Sequence, residues 1–285
     1  MEGLGSKVTY YRRLKGLSMQ ELARDICDIS TVYRLENGKQ LPRLEILNDI
    51  CLKLELPIQA LFPMNGEIER LKELCREFTY TFDYLSLEII LEQCEDLLED
   101  IPSNFNRIMF YKFIEWHKAI LLDKAQQRPE LALKKLKPLV TTKNYGSELD
   151  FNIMNSIGLI YLSLNKYNHA LNIFKELFPK VTSRPFLEDK TLLPRIGYNY
   201  ALSLYNLKYY NDALRISNEV LLYLESNYLS YSLDQTYHLI GILYKKCGDL
   251  QEAEVAFRKS ALLFEFNNDL ANKEIVLKSI KNLSN

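Results

Sequence analysis

Three stretches of the chain carry the same pair of small residues at the same spacing, and this repetition limits the fold more than any other feature. They are SIGLIYLSLNKYNHALNIFKELF (156–178), NYALSLYNLKYYNDALRISNEVL (199–221) and LIGILYKKCGDLQEAEVAFRKSALLF (239–264). In each, a small residue (Gly158, Ala201, Gly241) is followed twelve positions later by another (Ala170, Ala213, Ala253). The apolar residues around them recur at the three-to-four-residue interval of amphipathic helices. Two helices joined by a short turn can approach closely where each offers a small side chain, so each stretch reads as an antiparallel helix pair. Tyr161 and Tyr244 stand three residues after their glycines, and Phe174 and Phe257 four after their alanines. These aromatics are expected to fill the gap to the next pair.

The rest of the chain is helical in pattern too, punctuated by Pro102, Pro129, Pro138, Gly146, Pro185, Asn227 and Gly248, with no alternating segment of the kind a strand needs. The fold class is therefore all-α. The paired segments resemble the tetratricopeptide repeat, whose period is ~34 residues. The markers here lie 43 and 40 residues apart, and connections such as TSRPFLEDKTL (182–192) absorb the excess. Residues 67–100 and 104–140 read as two more degenerate pairs, giving about five, and 270–283 as a capping helix. Stacked pairs of this kind form a superhelix with a concave face lined by the first helix of each pair. By repeat position Asn152, Asn155, Arg195, Tyr198, Asn199, Tyr205, Gln235, His238 and Lys245 are the groove residues. An asparagine amide offers both a donor and an acceptor, so it can hold a peptide backbone whatever its side chains. Arg195 or Lys245 could hold a terminal carboxylate. Helix capping and plain surface exposure are the alternatives at each position.

The first sixty or so residues follow another plan. Leu4, Val8, Tyr11 and Leu14 mark a helix stopped by Gly16. Ser18 with Glu21 makes a capping box for a second helix through Leu22, Ala23 and Ile26. Asp28 can cap a third, with Val32 and Leu35 turned inward, ended by Asn37-Gly38. Pro42 precedes a fourth with Leu44, Leu47, Ile50, Cys51 and Leu54, and Pro57 opens a short fifth, Ile58 to Phe62. Asn65-Gly66 then breaks the pattern before a charged linker helix, GEIERLKELCREF. The expected division is 1–63, a helix-turn-helix domain; 64–79, the linker helix; and 80–285, the repeats.

A tight connection between the second and third helices is the helix-turn-helix arrangement, in which the third enters the major groove of DNA. Its outward residues are then Ser30, Thr31, Tyr33, Arg34 and Asn37; arginine can pair with guanine and asparagine with adenine. Arg34 has an alternative, an ion pair with Glu36 or Glu21. Ser18 and Gln20 open the second helix, an end suited to phosphate oxygens, and Arg12, Arg13, Lys39 and Arg43 are further phosphate candidates. Residues 1–43 hold eight basic and five acidic side chains, a local net of +3 in a chain of formal net charge −1.

LKGLSMQELA (14–23), STVYRLENGKQLPRLEILNDIC (30–51) and LELPIQALF (54–62) resemble the phage-repressor and Cro-like domains, except that Met19 and Ile29 stand where that family often has glutamine. ICDISTVYRLENG (26–38), MNSIGLIY (154–161) and GYNYALSLY (197–205) extend the resemblance over the whole chain, to the PlcR-type peptide-pheromone-responsive regulators of Gram-positive bacteria. That resemblance implies a cytoplasmic, quorum-sensing transcription regulator, by family an activator. It implies a homodimer on palindromic double-stranded DNA, with a short signalling peptide in the repeat groove. It also places peptide-clamping asparagines at Asn155 and Asn199.

Other classes find little in the chain. No apolar run reaches the ~20 residues of a membrane span, and the N-terminus lacks a signal peptide's apolar core. The five cysteines are scattered, without a CxxC pair or a histidine at ligand spacing, so no metal site, disulfide framework or cofactor is expected. None of His117, His169 and His238 lies in a nucleophile, metal or phosphate-loop motif, and His169 reads as an exposed residue between repeat helices. The chain is read as not an enzyme. Trp116 and the 19 tyrosines suit packing between helices. The alternative function is a repeat scaffold that docks another protein, including a response-regulator phosphatase-like role.

Overall fold

The computed structural model describes residues 2–56, 58–61, 63–101, 103–140, 146–184 and 187–283. Among these every regular element is a helix, and the chain divides into two compact units, Met1–Phe110 and Tyr111–Asn285.

The first unit opens with α1 (Glu2–Leu14), α2 (Met19–Ala23), α3 (Ile29–Glu36), α4 (Leu44–Lys53) and a 3-10 turn, Ile58–Leu61. Their inward faces close one core of Leu4, Val8, Leu22, Ala23, Val32, Leu35, Leu47, Ile50, Cys51, Leu54 and Leu61. Each large aliphatic side chain so buried contributes about 1.5–3 kcal/mol. The Ser18–Glu21 capping box forms, and Gly16 and Gly38 take the left-handed backbone that ends α1 and α3. Four expectations are corrected. Leu14 and Leu44 face solvent. Ile26 lies beyond α2, because the chain turns at Asp25, itself left-handed at φ 66°. Asp28 occupies the N-cap of α3 without a side-chain cap bond. Gly66 breaks nothing, since α5 runs from Pro63 to Tyr80 through it. Pro57 and Phe62, expected at the ends of the fifth helix, lie outside the described residues.

α5 does not run alone: it packs against α6 (Tyr84–Asp96), burying Ile68, Leu71 and Cys75 with Leu87, Leu91 and Cys94. α7 (Asn104–Ile120) follows, then a π-helical turn (Leu121–Ala125), α8 (Pro129–Leu136) and a 3-10 turn, Lys137–Leu139. The three marked stretches form α9 (Glu148–Ser163) with α10 (Tyr167–Thr182), α11 (Leu192–Asn206) with α12 (Tyr210–Ser226), and α13 (Leu233–Cys247) with α14 (Leu250–Phe266). α15 (Leu270–Lys281) covers α14.

Small residues do bring the paired helices together, but the aromatics work inside the pair. A Cβ added to Gly158 would stand 2.4 Å from the Phe174 ring, and one on Gly241 2.6 Å from Phe257. Each phenylalanine therefore lies on its own pair's glycine, which corrects the expectation that it fills the gap to the next pair. Each turn within a pair holds a left-handed residue at one register position: Asn165, Lys208 and Gly248, all seven residues after the small marker. In the second unit successive first helices touch, α9 with α11 and α11 with α13, whereas among the described residues the second helices do not adjoin comparably. The row therefore curves with its first helices on the concave side.

Candidate functional site

The core of the head fixes which side of α3 is outward. With Val32 and Leu35 fully buried, Ser30, Tyr33, Arg34 and Asn37 are exposed and Thr31 partly so. The carboxylates that might have occupied Arg34 are engaged elsewhere. Glu36 receives Arg12 Nε at 2.5 Å and Nη2 at 2.7 Å, and Glu21 Oε2 receives the Ser18 N–H at 2.8 Å. Arg34 Nη1 instead meets Gln40 Oε1 at 3.5 Å, leaving the guanidinium outward. The Lys39 ammonium lies 5.1 Å from the Tyr33 ring centroid. Thr31, Arg34, Gln40 and Arg43 line a shallow cleft of about 270 Å³ beside α3. Asn37 donates its amide to the Tyr33 carbonyl at 2.8 Å, which holds the end of α3. Arg13, Gln20 and Lys39 are exposed, and Ser18 uses its hydroxyl to cap α2.

Arg12 is the correction here. It was a phosphate candidate, but its side chain is buried, held by Glu36 and by the Leu17 carbonyl at 2.8 Å. It ties α1 to the end of α3 and to the chain entering α2. The hydrogen bond to Glu36 raises its already high pKa, so it is a permanent cation inside the head.

On the concave side of the repeats, polar side chains join neighbouring first helices. Asn199 Nδ2 donates to Asn155 Oδ1 at 2.9 Å, and both residues are buried. Arg195 Nη2 donates to Asn152 Oδ1 at 3.1 Å and forms an ion pair with Asp189. Asn152, Asn155, Arg195 and Asn199 thus form one cluster between α9 and α11. Each asparagine amide has hydrogen-bonding capacity beyond these contacts, and Arg195 Nε is buried without a partner. Tyr198 is half-buried, and burial, with Asp234 beside it, raises its pKa. On α13, His238 rests 5.7 Å from the Phe257 ring with Nε2 buried and unpartnered, and burial holds its pKa below the usual imidazole value. Gln235 is exposed. Tyr205 packs against Tyr210, and Lys245 donates to the Asn282 carbonyl at 2.9 Å.

Of two further neighbours of the cluster, the sequence assigns Trp116 only a packing role and does not mark Ser156. Trp116 on α7 donates its indole N–H to Ser156 Oγ at 2.8 Å, and Ser156 donates onward to the Asn152 carbonyl at 3.1 Å. Their 40-residue separation matches the repeat interval and was the available signal. Asp150, at the start of α9, is buried. Burial alone would raise its pKa, but Lys112 and the N–H groups of Ser147 and Gly146 outweigh that and lower it. His169 is exposed and stacked on Tyr161, 5.1 Å between ring centroids. Among the described residues no group of three or more His, Cys, Asp and Glu could hold a metal ion, and no helix is long and apolar enough to cross a membrane.

Residues 83–283 match the RNPP family C-terminal domain, and residues 8–61 match a helix-turn-helix domain. No curated protein matches the chain in sequence. Solved structures share its fold at low identity. Bacillus thuringiensis PlcR in complex with the peptide PapR7 and DNA is 21% identical with a TM-score of 0.80, over 97% of this chain and 99% of that one. ComR from S. thermophilus, in complex with DNA and its signalling peptide ComS, is 15% identical with a TM-score of 0.65, over 99% and 100%. The Streptococcus dysgalactiae SHP pheromone receptor Rgg2 is 17% identical with a TM-score of 0.64, over 98% and 99%.

Proposed function

This chain belongs to the RNPP family, and on that footing we propose that it is a DNA-binding transcription regulator whose activity is set by a short signalling peptide held among its repeats. One observation carries the reading: a single chain joins a helix-turn-helix domain at 8–61 to an RNPP C-terminal domain at 83–283. Residues 1–63 read DNA, residues 64–79 connect, and residues 80–285 bind peptide and form the homodimer. Ser30, Thr31, Tyr33 and Arg34 are the base-reading residues, supported by their outward placement on α3. Arg13, Ser18, Gln20, Asn37, Lys39 and Arg43 contact the backbone or hold the readers in place. Phosphate contacts set position, whereas base edges set sequence.

The peptide lies along the first helices, with Asn155 and Asn199 at the centre and Asn152, Arg195, Tyr198, Tyr205, Gln235, His238 and Lys245 around them. The hydrogen bond between the two asparagines supports this, because it holds both amides at one fixed place on the concave side. Arg195 suits a carboxylate or carbonyl of the ligand, since its buried Nε has no partner of its own. The regulator works in the cytoplasm, where its DNA is, and activates transcription.

Selection of duplexes from a random double-stranded library by the full chain, with and without mixtures of synthetic short peptides, tests the DNA half. A palindrome is the expected product, because a two-fold dimer presents two identical readers. Recovery of no shared sequence under any condition would contradict the reading and favour a scaffold.

A further inference from the structure

Asp189, in the connection before α11, is held at both its backbone and its side chain. Its N–H and that of Glu188 donate to the Glu148 carboxylate at the start of α9, at 3.1 and 2.7 Å. Its Oδ1 accepts the Thr191 N–H at 2.9 Å and the Thr191 hydroxyl at 2.6 Å. Oδ2 is left for Arg195, which meets it through Nη2. A guanidinium is best satisfied by a carboxylate that takes two N–H groups side by side. Asp189, with one oxygen committed to Thr191, takes one, and Arg195 Nε stays buried without a partner. Arg195 stands one helical turn before Asn199 and donates to Asn152, so it belongs to the asparagine cluster. The ion pair is open to solvent, with 28% of the Arg195 side chain and 38% of the Asp189 side chain exposed.

Resting on the reading of this groove as a peptide site, we propose that Asp189 is an internal stand-in for a carboxylate of the peptide and determines which ligands the groove accepts. An incoming carboxylate has both oxygens free and can take Arg195 Nε and Nη2 together, two parallel bonds where Asp189 makes one. A neutral group cannot replace the charge it displaces, and it leaves Arg195 without a counter-ion. The ligand class is therefore a peptide that carries a carboxylate, at its C-terminus or on a side chain, one helical turn from the Asn155–Asn199 pair. Because Glu148 and Thr191 tether Asp189, it competes at a fixed effective concentration. That competition lowers the affinity of every ligand that uses Arg195, and so sets the peptide level at which the regulator responds. An exposed ion pair is weak, so it yields to a better acceptor.

The test offers the full chain pools of short synthetic peptides of random sequence, made as C-terminal acids or amides, each with or without Asp and Glu. Retained peptides are identified by mass spectrometry, and their affinities are measured by isothermal titration calorimetry. Retention is expected from pools that carry a carboxylate and not from the amide pool lacking Asp and Glu. The two pools with a single source of carboxylate tell a C-terminal group from a side-chain one. Asp189→Asn keeps the Oδ1 acceptor for Thr191 but removes the charge. The best retained peptide should bind that variant about three- to fivefold tighter than wild type, the scale of an exposed ion pair, and Arg195→Gln more weakly than either. A residue that merely held Arg195 in place would give the opposite change. Equal retention from the carboxylate-free pool, or Asp189→Asn affinity equal to or below wild type, would overturn the proposal and leave the peptide reading standing. Retention from no pool would overturn both. The comparison of pools uses the wild-type chain and does not depend on a variant folding.

Discussion

Burying a guanidinium costs several kcal/mol unless a carboxylate is buried with it in good geometry. Arg12 and Glu36 meet that condition with two hydrogen bonds, which is why a residue with the composition of a DNA contact is structural instead. Arg12→Ala should destabilise the head by about 3–5 kcal/mol, because it strands the Glu36 charge. Arg12→Met combined with Glu36→Leu should recover most of that loss, as read from urea unfolding of the full chain. A single variant within experimental error of wild type would refute the assignment. The asparagine pair follows the same logic in neutral form. Asn199→Ala leaves Asn155 Oδ1 buried without its donor and should cost about 1–3 kcal/mol. Asn155→Ala with Asn199→Ala should melt closer to wild type than either single variant; simple additivity would show that the bond is not formed in solution. Neither role was fully legible in sequence. Arg12 looked like any basic residue beside Arg13, and Asn155 and Asn199 looked open where they are bonded to each other.

The helices were legible where small residues and caps recur. The Ser18–Glu21 box, the Gly158–Ala170 spacing and its two successors all stand in the structure as their chemistry requires. What was missed traces to local exceptions. α2 stops at a left-handed aspartate, Asp25, that carries no glycine signal, and the α5–α6 turn rests on Phe82 in the same conformation. Between α7 and α8 the two fully buried alanines, Ala119 and Ala132, are thirteen residues apart rather than twelve. The π turn at Leu121–Ala125 accommodates one extra residue, which is why residues 104–140 read as a helix pair without the twelve-residue spacing of the later three. The spacing itself is testable where contact is tightest. Gly158→Ala should cost about 1–3 kcal/mol by overpacking against Phe174. Adding Phe174→Leu should restore part of the loss in thermal unfolding. A neutral Gly158→Ala would mean the helices do not approach as closely as described.

For the whole molecule the central claim is that peptide and DNA act on one equilibrium. Linkage makes this reciprocal: a peptide that strengthens DNA binding by some factor must itself be bound more tightly, by the same factor, when DNA is present. Such couplings are typically 5- to 150-fold, about 1–3 kcal/mol. The division of labour supports the claim, since the outward polar face of α3 and the asparagine cluster between α9 and α11 belong to different units of the chain. The direct measurement is the affinity of the full chain for its selected duplex, by fluorescence anisotropy at fixed salt. It is made with and without the synthetic peptide that most raises its melting temperature, and repeated with Asn155→Ala/Asn199→Ala. The account predicts at least a fivefold gain with peptide in wild type and none in the double variant. Equal affinity with and without peptide in wild type, at saturating peptide, would contradict it.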